Sequence, residues 1–88
     1  MVERTVTIVN RQGLHARPAA EIVKLTSKYQ SEVTLVRDDL EVNGKSIMGV
    51  MMLAAEQGAS LHLRAEGPDA EQALDALASL IANKFGEG

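Results

Sequence analysis

The stretch LHLRAEGPDAEQALDALASLIANKFG, residues 61–86, changes its period halfway along. Up to Glu66, the apolar Leu61, Leu63 and Ala65 alternate with His62, Arg64 and Glu66, the period of two of a strand with one buried face. Beyond Gly67, the residues Ala70, Ala73, Leu74, Leu77, Ala78, Ile81 and Phe85 recur at helical spacing, which predicts a helix after Pro68 and Asp69. Asp69 and Gln72 have the spacing of a capping box, and Lys84 followed by Gly86 marks the helix end. A strand feeding an amphipathic helix leaves two apolar faces that must cover each other.

The same two periods recur upstream. Val2, Val6 and Ile8 alternate with Glu3, Thr5 and Thr7, with Arg4 as the one irregularity, and Asn10 to Gly13 reads as a turn. From Ala16 to Lys28, the residues Ala19, Ile22, Val23 and Thr26 predict a helix. Val33 and Leu35, then Leu40 and Val42, predict two short strands joined at Asp38-Asp39 in a hairpin. Asn43-Gly44 breaks the chain, and Ser46 is placed to cap a short helix from Ile47 to Leu53, which Gln57-Gly58 ends. The order β-α-β-β-α-β-α predicts an α+β domain spanning residues 1–88. Its helices should lie on one face of a mostly antiparallel sheet.

Composition narrows the function. Without cysteine there is no disulfide, thiolate metal site or thiol nucleophile, and two histidines alone do not complete a zinc shell, so no metal is expected. The alternation at the start interrupts any continuous apolar run, and no run approaches the roughly 18–20 residues of a membrane span. A soluble, cytoplasmic monomer is expected. The net charge of −3 is unevenly spread: residues 1–30 carry five basic and two acidic side chains, residues 31–88 four and ten. An acidic protein with one tyrosine, one phenylalanine and no G-x-x-G loop is a poor nucleic-acid binder. A locally basic face suits a small anion or an acidic protein patch.

Two side chains can act as nucleophilic bases near neutral pH, and their settings differ. His62 lies on the polar side of a strand, where a solvated role is expected. His15 follows the turn Gly13-Leu14 and precedes a helix whose first turn holds Arg17 and Pro18. The first N–H groups of a helix lack intrahelical acceptors and carry the positive end of its dipole, which favours an anion. Pro18 suits that first turn because its missing N–H had no partner to lose. A histidine here is either a nucleophile beside an anion site or simply a capping residue. Farther on, Gly44-Lys45-Ser46 imitates the end of a P-loop, but the required earlier glycine would fall at Asp39, so that match fails. The helix after Ser46 is apolar nearly all round. Its Ile47, Met48 and Met51 either pack into the core or form a soft docking patch.

The run Gly13-Leu14-His15-Ala16-Arg17-Pro18-Ala19 resembles the active-site signature of the HPr family, the histidine-containing phosphocarriers of the bacterial phosphoenolpyruvate:sugar phosphotransferase system. A second block, Lys45-Ser46-Ile47-Met48-Gly49-Val50-Met51, matches at the corresponding place, so the resemblance covers nearly the whole chain. It implies an open-faced β-sandwich, a four-stranded antiparallel sheet covered by three helices. It implies that His15 accepts a phosphoryl group on Nδ1 from Enzyme I and passes it to sugar-specific IIA proteins. Arg17 would contact that group, and Pro18 would start the helix. No cofactor is implied; phosphoenolpyruvate is the ultimate donor through Enzyme I. Ser46 would be the regulatory site of an HPr kinase/phosphorylase, with a catabolite-control regulator as a further partner. Ala16, Ala20, Lys24, Lys28, Ile47, Met48 and Met51 would form the docking surface, although Lys24 and Lys28 also suit an ordinary solvated face. The resemblance assigns no role to Gly44, Glu87 or Gly88.

Three other readings compete. A carrier of the nitrogen-related branch would use the same chemistry with different partners. A small hydrolase of acylphosphatase type has similar size and element order, but needs a glycine-rich, arginine-bearing loop after the first strand. Asn10-Arg11-Gln12-Gly13 is too short for that loop. A ligand-sensing or RNA-binding module is disfavoured by the charge and by the scarcity of aromatic residues.

Overall fold

Strand β4 (Ser60–Glu66) is the centre from which the fold grows, and a computed structural model describes it together with the rest of residues 1–87. It pairs antiparallel with β1 (Val2–Thr7) on one side and β2 (Glu32–Arg37) on the other, and β3 (Leu40–Asn43) closes the sheet in the order β1-β4-β2-β3. Register follows the alternation: Leu63 stands opposite both Arg4 and Leu35, and Ala65 opposite both Val2 and Val33. A one-residue slip would turn every one of these side chains to the other face. Leu61, Leu63, Val33 and Leu35 are therefore buried together on the covered side. The other face is open and polar. There His62 Nε2 meets Glu3 Oε1 at 2.5 Å, its Nδ1 lies 3.3 Å from Thr5 Oγ1, and Arg64 pairs with Glu41.

Three helices cover the sheet: α1 (Ala16–Thr26), α2 (Ile47–Met52) and α3 (Ala70–Ala82). Helix α3 packs on β1, β4 and β2 and buries Ala70, Ala73, Leu74, Leu77 and Ile81, the stripe expected from its spacing. Helix α1 packs on α2 and α3 with Ile22 and Ala19 fully buried. The irregular Arg4 also finds its reason. It lies on the covered side of an edge strand, where its guanidinium donates to Asp75 at 2.8 Å and Glu71 at 3.1 Å on α3. An inward-pointing charge of this kind discourages another chain from extending the sheet at β1. No helix among the described residues is long and apolar enough to cross a membrane.

Three local expectations change. Helix α1 ends at Thr26, so Lys28 sits in the following turn, with its amide bonded to the Leu25 carbonyl. Phe85 is buried but is not helical: α3 stops at Ala82, and Lys84, Phe85 and Gly86 turn back with φ of 58°, 56° and 78°. The third change concerns Asp69, which makes no capping bond within its own helix. Its carboxylate instead accepts from the Ser31 hydroxyl at 2.5 Å and from the amides of Gln30 and Ser31, each at 2.9 Å. Ser31 Oγ returns the contact by accepting the Asp69 amide at 3.1 Å. The approach is close enough that a Cβ on Gly67 would lie 2.6 Å from that hydroxyl.

The clasp makes stability depend on pH. The Ser31 hydroxyl, then the Gln30 amide, hold the Asp69 carboxyl below its ordinary value of 3.8. A lowered folded-state value stabilises the protein above the ordinary carboxylate value, and that gain is lost as the pH falls from there through the lowered one. Melting temperature measured from neutral pH down to about pH 2 should fall less steeply for Asp69→Asn than for the unaltered protein.

Candidate functional site

Gly13 sets the geometry of the first loop. Its φ is +69°, and any Cβ there would press into the Ala55 carbonyl, so the residue must be glycine. This tight approach lets the Leu14 amide donate to the Ala55 carbonyl at 2.8 Å, while the Leu14 side chain is buried. The buried Asn10 braces the turn, its Nδ2 donating to the Gly13 carbonyl at 2.8 Å.

The chain then enters α1 with His15 in the N-cap position, extended at φ −78° and ψ −172°. The His15 ring makes no capping hydrogen bond, although its carbonyl accepts the Ala19 amide at 3.0 Å. Ala16, Arg17 and Pro18 form the first turn, with Arg17 helical despite the proline that follows. Among the described residues, the Ala16 and Arg17 amides meet no acceptor, which leaves the positive end of α1 beside the imidazole.

The ring is held from the far end of the chain. The His15 side chain is 35% exposed, and its Nε2 lies 3.0 Å from Glu87 Oε2. A carboxylate only accepts, so Nε2 carries the proton that it donates. A neutral ring with its proton on Nε2 has its lone pair on Nδ1, the nitrogen able to act as a nucleophile. Glu87 is positioned in turn by Asn10, whose Nδ2 donates to Glu87 Oε1 at 3.1 Å. The backward turn at Lys84–Gly86, anchored by buried Phe85, brings Glu87 to this place. Sequence reasoning missed Glu87. Lys84 followed by Gly86 announced the end of a helix, but not the direction the chain takes afterwards.

Arg11, Gln12, His15, Arg17, Gly86 and Glu87 line one open depression. Arg11 and Gln12 also went unassigned in the sequence. With two arginines and free helix amides around an imidazole, the depression suits an anion attached to Nδ1. No cluster of potential metal ligands exists among the described residues.

The second block is adjacent through the contact of α1 with α2. Ser46 caps α2 as expected, its Oγ accepting the Gly49 amide at 3.1 Å. Val50 is the helix's one buried residue. Ile47, Met48 and Met51 are exposed, and so is Met52, which resolves the choice between core and surface in favour of surface. Arg37 holds the other end of α2 by donating to the carbonyls of Leu53 and Ala54. On α1, Ala16, Ala20 and Lys24 recur every four residues along one exposed face, with Lys28 beyond it. His62 is remote from all of this, on the open side of the sheet.

Known proteins resemble the chain throughout. A family model described as the PTS HPr component phosphorylation site matches residues 2–83. The phosphocarrier protein HPr of Treponema pallidum is 54% identical over 99% of both chains. That of Cupriavidus necator is 50% identical over 100% of this chain and 99% of its own. The crystal structure of HPr-C-His from Thermoanaerobacter tengcongensis superposes with a TM-score of 0.96 at 50% identity, covering 100% of this chain and 99% of that one. Motif, topology and full-length similarity agree, and the chain belongs to the HPr family of phosphocarriers of the phosphotransferase system.

Proposed function

We propose that His15 accepts the phosphoryl group of the relay on Nδ1 and that Arg17 stabilises it there. The observation that carries this reading is the Glu87 carboxylate on Nε2, because it leaves Nδ1 as the ring's only lone pair. The donor is Enzyme I, charged by phosphoenolpyruvate, and the acceptors are IIA proteins in the cytoplasm. Nδ1 attacks phosphorus as the bond to the donor breaks, and the same exchange runs in reverse onto the next acceptor. Such transfer asks mainly for positioning and charge stabilisation. Helix amides and an arginine hold a phosphate loosely enough for a monomeric carrier to give it up. The exposed face of Ala16, Ala20, Lys24 and Lys28, with Ile47, Met48 and Met51 of α2, is the docking surface. Its basic charge suits an acidic partner, and its thioethers adapt to more than one partner.

Incubation with phosphoenolpyruvate and Enzyme I, followed by intact-mass analysis, tests the acceptor. His15→Ala should take up no phosphate and His62→Ala should label normally. The adduct should be lost in acid, since protonating a phosphoramidate makes imidazole a better leaving group. Persistent labelling of His15→Ala would refute the assignment.

Arg17 and Glu87 should differ in size and kind of effect. Arg17→Ala should slow transfer by about one to three orders of magnitude, or about 1.4–4 kcal/mol of transition-state stabilisation. Its stability should move by less than about 1 kcal/mol, as for most surface substitutions. Glu87→Ala should cost only about a few-fold in rate, because the neutral ring still samples the reactive tautomer. Nitrogen NMR of its His15 ring should show a mixture of tautomers where the unaltered protein shows one.

Ser46 is the regulatory site in this reading, served by an HPr kinase/phosphorylase and sensed by a catabolite-control regulator. A phosphate there adds about −1.5 to −2 charge at the edge of the apolar patch. A partner that buries the patch would have to desolvate it. Ser46→Asp keeps a capping oxygen and adds one charge. Its melting temperature should hold or rise, while phosphorylation of His15 by Enzyme I slows severalfold. Unchanged rates for this variant and for genuinely phosphorylated Ser46 would return the residue to a cap alone.

A further inference from the structure

We propose that Met48, Met51 and Met52 form an oxidation site through which peroxides reversibly weaken docking on α2. The chain has four methionines and neither cysteine nor tryptophan, so thioethers are the only sulfur a two-electron oxidant can meet. Three of the four fall within one helix of six residues. They are 74%, 41% and 63% exposed, respectively. None anchors the fold: α2 is held to the core by Val50, Leu53 follows it into the interior, and the ends are fixed by Ser46 and Arg37. Oxidation there changes the surface and leaves the core intact. Met1, the fourth, is 75% exposed but lies beside Glu32, Thr34 and Arg64, away from α2. It serves as an internal spectator.

The chemistry is a transfer of one oxygen atom. A sulfur lone pair attacks one oxygen of hydrogen peroxide, the O–O bond breaks, and the departing hydroxide takes the remaining proton to leave as water. Sulfur loses two electrons and becomes a sulfoxide, which a thiol-dependent reductase can return to the thioether. The product replaces a soft apolar contact by a strong hydrogen-bond acceptor. A partner that covers the patch must then desolvate an oxygen for which it has no donor. The inference rests on the reading that Enzyme I docks on α2, and it adds control by redox state that is independent of Ser46.

The test treats the protein alone with dilute hydrogen peroxide, removes the oxidant, and counts oxygens on each methionine by peptide mass mapping. Phosphorylation of His15 by Enzyme I is then timed, each protein being compared with its own unoxidised form. Oxidised protein with an unchanged circular dichroism spectrum should react about tenfold more slowly, and reductase treatment should restore the rate. In the triple variant Met48→Leu, Met51→Leu, Met52→Leu, which keeps an oxidisable Met1, oxidation should leave the rate ratio near one. An equal loss in that variant would place the effect elsewhere and overturn the proposal. An undiminished rate in fully oxidised protein would also overturn it. Met48→Glu then tells the two failures apart. If that variant is slow, docking on α2 stands and only the oxidation step is wrong; if it reacts normally, the docking reading has failed as well.

Discussion

The hydrogen bond from the Leu14 amide to the Ala55 carbonyl governs the geometry of the site, and it exists only because Gly13 is left-handed. It ties the start of α1 to the loop between α2 and β4. With Leu14 buried and Asn10 bracing the turn, His15 has a single path into the helix. A side chain on Gly13 would press into the Ala55 carbonyl and push the two loops apart. The motif around His15 is therefore a structural constraint before it is a chemical one.

Within that frame the site is poised rather than strong. The chain is a phosphoryl carrier and not an enzyme with turnover of its own, and its groups are matched to that task. Free helix amides and Arg17 lie in the neighbourhood of the imidazole, while Glu87 meets its Nε2. Among the described residues, Glu87 is the carboxylate that meets the ring, and it does so at Nε2, which leaves Nδ1 open. A tighter cage would retain the group and stop the relay. On α2, a short capped helix holds four apolar side chains in water.

Much of this was legible along the chain. The alternation of Leu61, Leu63 and Ala65 and the stripe from Ala70 to Ile81 predicted β4 and α3, because strand and helix periods are local consequences of backbone geometry. Ser46 was legible as a cap for the same reason, since its acceptor and the Gly49 amide lie three residues apart. Asp69 carried an equally plausible local signal, yet its carboxylate was taken by Gln30 and Ser31. Three well-aligned donors from a neighbouring loop compete successfully with a single amide in its own helix.

The sequence by itself determined the order of elements and the polar and apolar faces of each strand, and it set His15 apart by its place at a helix start, all within windows of a few residues. Tertiary structure alone decided which side chain meets the His15 ring and why Arg4 interrupts its strand. Glu87 reaches His15 across 72 positions, and Arg4 reaches Asp75 across 71. A side chain's local pattern states that it is polar, but its partner depends on where the packed sheet and helices bring distant backbone together. That meeting is set by the burial of the whole core, which no short window contains.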